Sequence, residues 1–192
     1  MEKLTTLNLT WDRVLIQLIV PGLLTSFPYL ILFFEQRPDI RDFFLGDAKT
    51  LFVTFVALVS LVTGIILEDF GSRIEAHYYD WRHKRKDNEY MTTWTKFLQI
   101  AYDKEPVGHR YLRNILFRMK FELSVGSGLI FMTIGLGIYN YDHVIFKNSY
   151  LNLLLVYILP IVGTIYLIFI EGWQGSKILH DTRKLLVDKY YK

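Results

Sequence analysis

Four blocks of this chain, residues 14–34, 50–67, 123–141 and 149–170, contain no charged side chain at all. A water-soluble helix alternates apolar and charged faces every turn or so, and these blocks do not. Helical runs of about 20 apolar residues match the roughly 30 Å of hydrocarbon in a bilayer. Inside hydrocarbon every backbone group has to be bonded internally, which makes each run a helix. The predicted class is an all-α, polytopic integral membrane protein with four transmembrane helices and a small cytoplasmic helical layer.

The ends of the second and fourth blocks divide the chain further. Ile65-Ile66-Leu67 passes within one turn into Glu68, Asp69, Phe70, Gly71, Ser72, Arg73 and Ile74, and Ile168-Phe169-Ile170 passes into Glu171, Trp173, Gly175, Ser176, Lys177 and Ile178. Acid, aromatic, Gly-Ser, base and Ile recur in the same order, with Gln174 as one extra residue. A duplication would give both halves one orientation, related by an axis along the membrane normal. Any helix leaving a bilayer also meets aromatics and charge, and Asp69 with Arg73 makes an ordinary i,i+4 pair of about 0.2–0.5 kcal/mol. The expected divisions are 1–67, a first hairpin; 68–122, a cytoplasmic segment; 123–170, a second hairpin; and 171–192, a cytoplasmic amphipathic tail.

Orientation follows from the basic residues. Lys and Arg number 2 in the lead, 3 in the 35–49 connection, 11 in 68–122, 1 in the second turn and 5 in the tail, so one side carries 18 and the other 4. By the positive-inside rule both termini and the 68–122 segment are expected in the cytoplasm of a multi-pass inner (plasma) membrane protein.

Within 68–122 three amphipathic stretches are legible. One extends the second span through Tyr78 and Trp81, a second begins at a Thr92 or Thr93 cap, and a third runs from His109 into the third span. Pro21, Pro28 and Pro160 interrupt the first and fourth spans, whose freed carbonyls need partners. The third span carries the small-residue spacings Ser124-x-x-x-Gly128 and Thr133-x-x-x-Gly137, which let helices approach closely.

Several chemistries find no footing. The chain has no cysteine, hence no thiolate metal site or cysteine nucleophile. No glycine-rich phosphate loop is present. Gly126-Ser127-Gly128 has the wrong offset for an intramembrane serine protease, and no histidine lies in a span to act as its base. His77, Asp80 and His83 diverge around a helix and make a poor metal face. No cofactor and no enzymatic activity are expected.

Two functional readings compete. In the first, an oligomeric membrane subunit uses its cytoplasmic layer to bind a soluble protein partner or ligand, as an anchor, sensor or membrane-perturbing effector; small membrane components of bacterial stress or phage-defence systems share that general shape. In the second, Glu68, Asp69, Gly71, Ser72, Arg73, Glu171, Gly175, Ser176 and Lys177 form the acidic inner mouth or gate of a small ion channel or transporter. Arg82, Lys84, Arg85, Lys86, Arg110, Arg113 and Lys120 are candidate contacts for anionic inner-leaflet lipid, at about 1 kcal/mol each, or for the partner. Three short helices hold a core poorly alone, so a homo-oligomer or a partner is expected, and nucleic acid is not, given a net charge of only +3.

Overall fold

The computed structural model describes residues 2–46, 48–100, 107–142 and 149–190, with side chains described for 15–46, 48–100, 111–141 and 150–190. Every element among them is helical: α1 (Glu2–Gln36), α2 (Pro38–Leu45), α3 (Lys49–Ile74), α4 (Asp80–Lys86), α5 (Tyr90–Gln99), α6 (Val107–Asp142), α7 (Ser149–Asn152), α8 (Leu159–Ile165) and α9 (Gly172–Tyr190). π-helical turns at Glu75–Tyr79, Leu153–Ile158 and Tyr166–Glu171 join α3 to α4, α7 to α8 and α8 to α9 without a break. Four of the resulting rods are long and apolar enough to cross a membrane.

Those rods are longer than the apolar blocks that nucleate them. The 36 residues of α6 extend about 54 Å at 1.5 Å per residue, against roughly 30 Å of bilayer hydrocarbon. The surplus lies at the charged ends of the blocks. There the first part of α6, the extension of α3 through α4, α5 and α9 assemble into a second, polar layer around Tyr79, Leu112, Met119, Leu123, Ile168 and Leu179.

Small residues set the helix approaches in the apolar part. On α3, Ser60, Gly64, Leu67 and Gly71 form one buried stripe at spacings of four, three and four. A Cβ added at Gly64 would fall on the Leu18 carbonyl oxygen, and one at Gly22 on that of Ser60, so α1 and α3 touch backbone to backbone. On α6, Ser124 and Ser127 are fully buried. Gly128 backs onto Thr25 and the Pro21 carbonyl, and Gly135 onto Pro28 and Tyr29. Thr133 returns its hydroxyl to Leu129 O of its own helix at 2.7 Å, while a Cβ at Gly137 would meet Tyr157 at an ordinary 3.5 Å.

The prolines have distinct settings. Pro21 and Pro28 lie inside α1 and are fully buried, where neighbouring helices shield the carbonyls they leave unbonded. Pro160 would clash with the Val156 carbonyl of a regular α-helix; the π-helical turn Leu153–Ile158 just before it accommodates the ring. Within the apolar part Tyr29 Oη donates to Phe131 O at 2.8 Å, and at the end remote from the polar layer Asn152 Nδ2 donates to Asn140 Oδ1 at 2.8 Å. Phe43-Phe44-Leu45 belongs to α2, whose Phe44 ring packs between Phe34, Phe52 and Phe55.

One expected boundary is corrected. Helix α5 begins at Tyr90, ahead of Thr92, and Thr93 is buried in it. The start is organised by Asp87, whose Oδ1 accepts the Glu89 backbone N–H at 2.9 Å. Such a local carboxylate turn fixes the chain two residues on, upstream of the threonines.

Candidate functional site in the polar layer

The polar layer is built on a seam between two helices that leave the apolar bundle side by side and run the same way. Tyr79 packs over Gly172, His83 bonds to Ser176, and Asp87 bonds to His180. Each step is four residues on both helices, so the pairs stack one turn above another. Gly172 and Ser176 keep that face of α9 low; a Cβ on Gly172 would strike the Tyr79 hydroxyl.

At the base of the seam, the fully buried Tyr79 donates its hydroxyl to the Ile168 carbonyl. That carbonyl belongs to the π-helical turn Tyr166–Glu171, where the widened backbone offers a carbonyl to a side chain from outside the helix. Burial raises the Tyr79 phenol above its ordinary pKa, so it stays a donor.

One turn higher, His83 Nε2 lies 2.9 Å from Ser176 Oγ. The imidazole is held between Trp173, 4.7 Å away, and Tyr90, 5.3 Å away and stacked almost parallel. Burial, reinforced by neighbouring His180, lowers its pKa to about 4, so the ring is neutral near pH 7. Hydroxyl and imidazole are the pair a nucleophile and its base would need. Here both ring faces are covered and Ser176 is only 8% exposed, so the pair binds helix to helix and has no room for a substrate.

Above it, Asp87 accepts from the Glu89 backbone N–H, from His180 at 3.1 Å and from Lys184 at 3.4 Å. The backbone bond first, then the two side chains, hold its carboxyl below the usual range. Cations sheathe the outside. Arg82 lies 4.0 Å from the Trp173 ring centroid, Lys86 5.4 Å from the same ring, and Arg183 4.1 Å from Trp94; such contacts contribute about 0.5–1 kcal/mol where exposed.

The junction residues are distributed around α6. Glu68 pairs with Lys120 at 3.4 Å, and Glu171 with Arg118 at 2.8 Å. Arg118 also holds Glu122 at 2.6 Å, and Tyr166 donates to Glu171 at 2.5 Å. Asp69 and Arg73 form the i,i+4 pair at 2.9 Å. The two junction glycines meet α6 one turn apart: a Cβ at Gly71 would lie 3.1 Å from Leu123 Cβ, and one at Gly175 3.2 Å from Met119 Cβ. Ser72 is half-buried beside Gly71, Ser176 joins the seam, and Lys177 is exposed.

Of the basic residues, Arg82 and Lys86 lie on Trp173, Arg85 on Trp81 at 5.6 Å, and Lys120 on Glu68. Lys84 and Arg113 are exposed, and the Arg110 side chain lies outside the described residues. His77 Nδ1 is 3.0 Å from Arg73 O, and Asp80 accepts from Tyr90 at 2.6 Å, so the three groups weighed together as a metal face have separate partners. The features that sequence inspection missed are Trp173 as the hub of the layer, Asp87 as its tie to α9, and the spacing Gly172-x-x-x-Ser176, which was the available signal.

Compared with known protein families, curated proteins and solved structures, the chain matches none.

Proposed function

We propose that this chain is a non-enzymatic inner-membrane subunit with both termini in the cytoplasm, whose polar helical layer binds a soluble partner or ligand and passes that event to the spans. Membrane residence is supported by the outward faces of the four rods, where Ile16, Val53, Ile134 and Leu159, one on each, are all more than half exposed. Apolar surface on that scale is foreign to a water-soluble monomer. The orientation is supported by the sequence count, in which 18 of the 22 Lys and Arg belong to the lead, the 68–122 segment and the tail.

The observation that carries the coupling is the continuity of the rods. Helix α3 enters the layer through Glu75–Tyr79 and α4, the fourth rod enters it as α9, and the seam ties the two together. A displacement of α5 or α9 therefore moves the inner ends of both hairpins. The channel reading is weakened because Glu68 and Glu171 are both neutralised by cations of α6.

The absence of native cysteine makes the test direct. Spin labels on Val53→Cys and Leu159→Cys report the separation of two rods in nanodiscs. Ser176→Leu, which wedges the seam, is expected to shift that distance distribution; an unchanged distribution in a folded variant refutes coupling. Selective current in planar bilayers that disappears with Glu68→Gln or Glu171→Gln would establish the channel instead.

A further inference from the structure

Beside the seam, between α4, α5 and α9, lies a cavity of about 160 Å³ lined by Glu75, Asp80, Lys84, Tyr90, Trp94 and Arg183 among others. It is far smaller than the roughly 300–1,000 Å³ of pockets for drug-sized ligands, so it suits a small polar molecule. Its walls carry two carboxylates and two cations, a balanced set that favours an occupant with no net charge.

The charges on those walls are largely unspent. Asp80 accepts one bond from Tyr90. Glu75 is attracted through space by Lys120 and, more weakly, by Arg183 but makes an ion pair with neither, and the guanidinium rests on the Trp94 ring. Both groups are partly buried. Loss of water raises the Glu75 carboxyl above its ordinary pKa and lowers the Arg183 guanidinium below its own. A charged group removed from water without a partner costs stability, and two of opposite sign facing one small cavity are satisfied together by a molecule that carries both charges.

We propose that this cavity binds a small zwitterion bearing a primary ammonium and an anionic group, the ammonium held by Glu75 and Asp80 and the anion by Arg183 and Lys84. Two sources share that chemistry: a free amino acid, and the ethanolamine phosphate head group of a membrane lipid. The proposal rests on the layer being a ligand-binding element. Binding is read without reference to the spans, so a failure here leaves the coupling experiment standing.

The test is calorimetric titration of the full chain in phosphatidylcholine nanodiscs with glycine, glutamate, lysine and phosphoethanolamine, alongside acetate and methylammonium, which carry one charge each. At least one zwitterion is expected to bind with Kd at or below about 1 mM, and the single-charge probes at least about tenfold more weakly. Glu75→Gln and Arg183→Gln are each expected to weaken binding by about tenfold or more, with the exposed Lys189→Gln unchanged. Arg183→Lys, which keeps the charge, retains part of the affinity and guards against misfolding as the cause. Repeating the titration with phosphatidylethanolamine in the disc names the source: a lost signal assigns the head group, an unchanged one the free molecule. No binding by any zwitterion, equal binding of acetate or methylammonium, or full affinity in folded Glu75→Gln and Arg183→Gln variants overturns the proposal.

Discussion

Replacing Gly64 with Ala adds one methyl group, and the structure leaves it nowhere to go. The new Cβ would coincide with the Leu18 carbonyl oxygen, and the obstacle is backbone on both sides. A flexible side chain could swing away; two α-helices in direct contact have to separate. Over-packing of this kind costs about 1–3 kcal/mol, with the upper half expected because Gly22 and Ser60 meet in the same crossing. In a bilayer the usual compensation is small, because dissociated spans remain helical and the helix propensity of Ala cancels between the two states. Gly137→Ala is the internal control, since its Cβ would meet Tyr157 at 3.5 Å, ordinary contact. Unfolding followed by tryptophan fluorescence in mixed micelles should separate the two variants by about 2 kcal/mol, with Gly137→Ala within about 0.5 kcal/mol of the parent. At this chain length 2 kcal/mol corresponds to roughly 4–8 °C in Tm. Gly64→Ala as stable as the parent would refute backbone contact between α1 and α3.

Two further outcomes follow from the polar layer. His83 titrates at about 4 in the folded chain against about 6.5 unfolded, so the unfolded state binds the extra proton as pH falls; stability should be full above pH 6.5 and decline by on the order of 3 kcal/mol towards pH 4. Near-ultraviolet circular dichroism tracks this, and a folded His83→Gln variant with the same slope would contradict it. Arg118→Met removes the ion-pair partner of Glu122, whose side chain is 11% exposed, whereas Lys120→Met removes that of the half-buried Glu68. Denaturant titration should show a loss of about 1–3 kcal/mol for the first and less than about 1 kcal/mol for the second, and equal losses would mean that Arg118 is not the tie between Glu122 and Glu171.

The apolar rods were legible from sequence because absence of charge over a whole block is a property of one contiguous stretch. The continuity of α3 into α4 was legible for the same reason, Phe70, Ile74 and Tyr78 keeping a helical spacing past Leu67. The seam was not. His83 and Ser176, like Asp87 and His180, stand 93 residues apart, and each pair is polar. Nothing in a hydrophobic pattern couples such residues. The junction motifs, by contrast, stood out by their repeated order, yet Gly71 and Gly175 lie against Leu123 and Met119 of α6, a helix that neither motif mentions. Thr92 and Thr93 suggested a cap because hydroxyl residues precede an apolar face. Asp87, three residues before the helix, looked like the end of a basic run and took that task.

The seam has a consequence for how the molecule is made. Its lower strand is synthesised some 93 residues before its upper one, so Tyr79, His83 and Tyr90 emerge with the aromatic and hydroxyl partners that will cover them still to be translated. Contacts this remote in sequence form late. Between the synthesis of the first pair of apolar rods and that of the second, the nascent chain displays an uncovered aromatic surface, the kind of intermediate that recruits chaperones or associates wrongly. Birth of this protein is therefore a two-step event, with the polar layer closing only after the last apolar rod is in place.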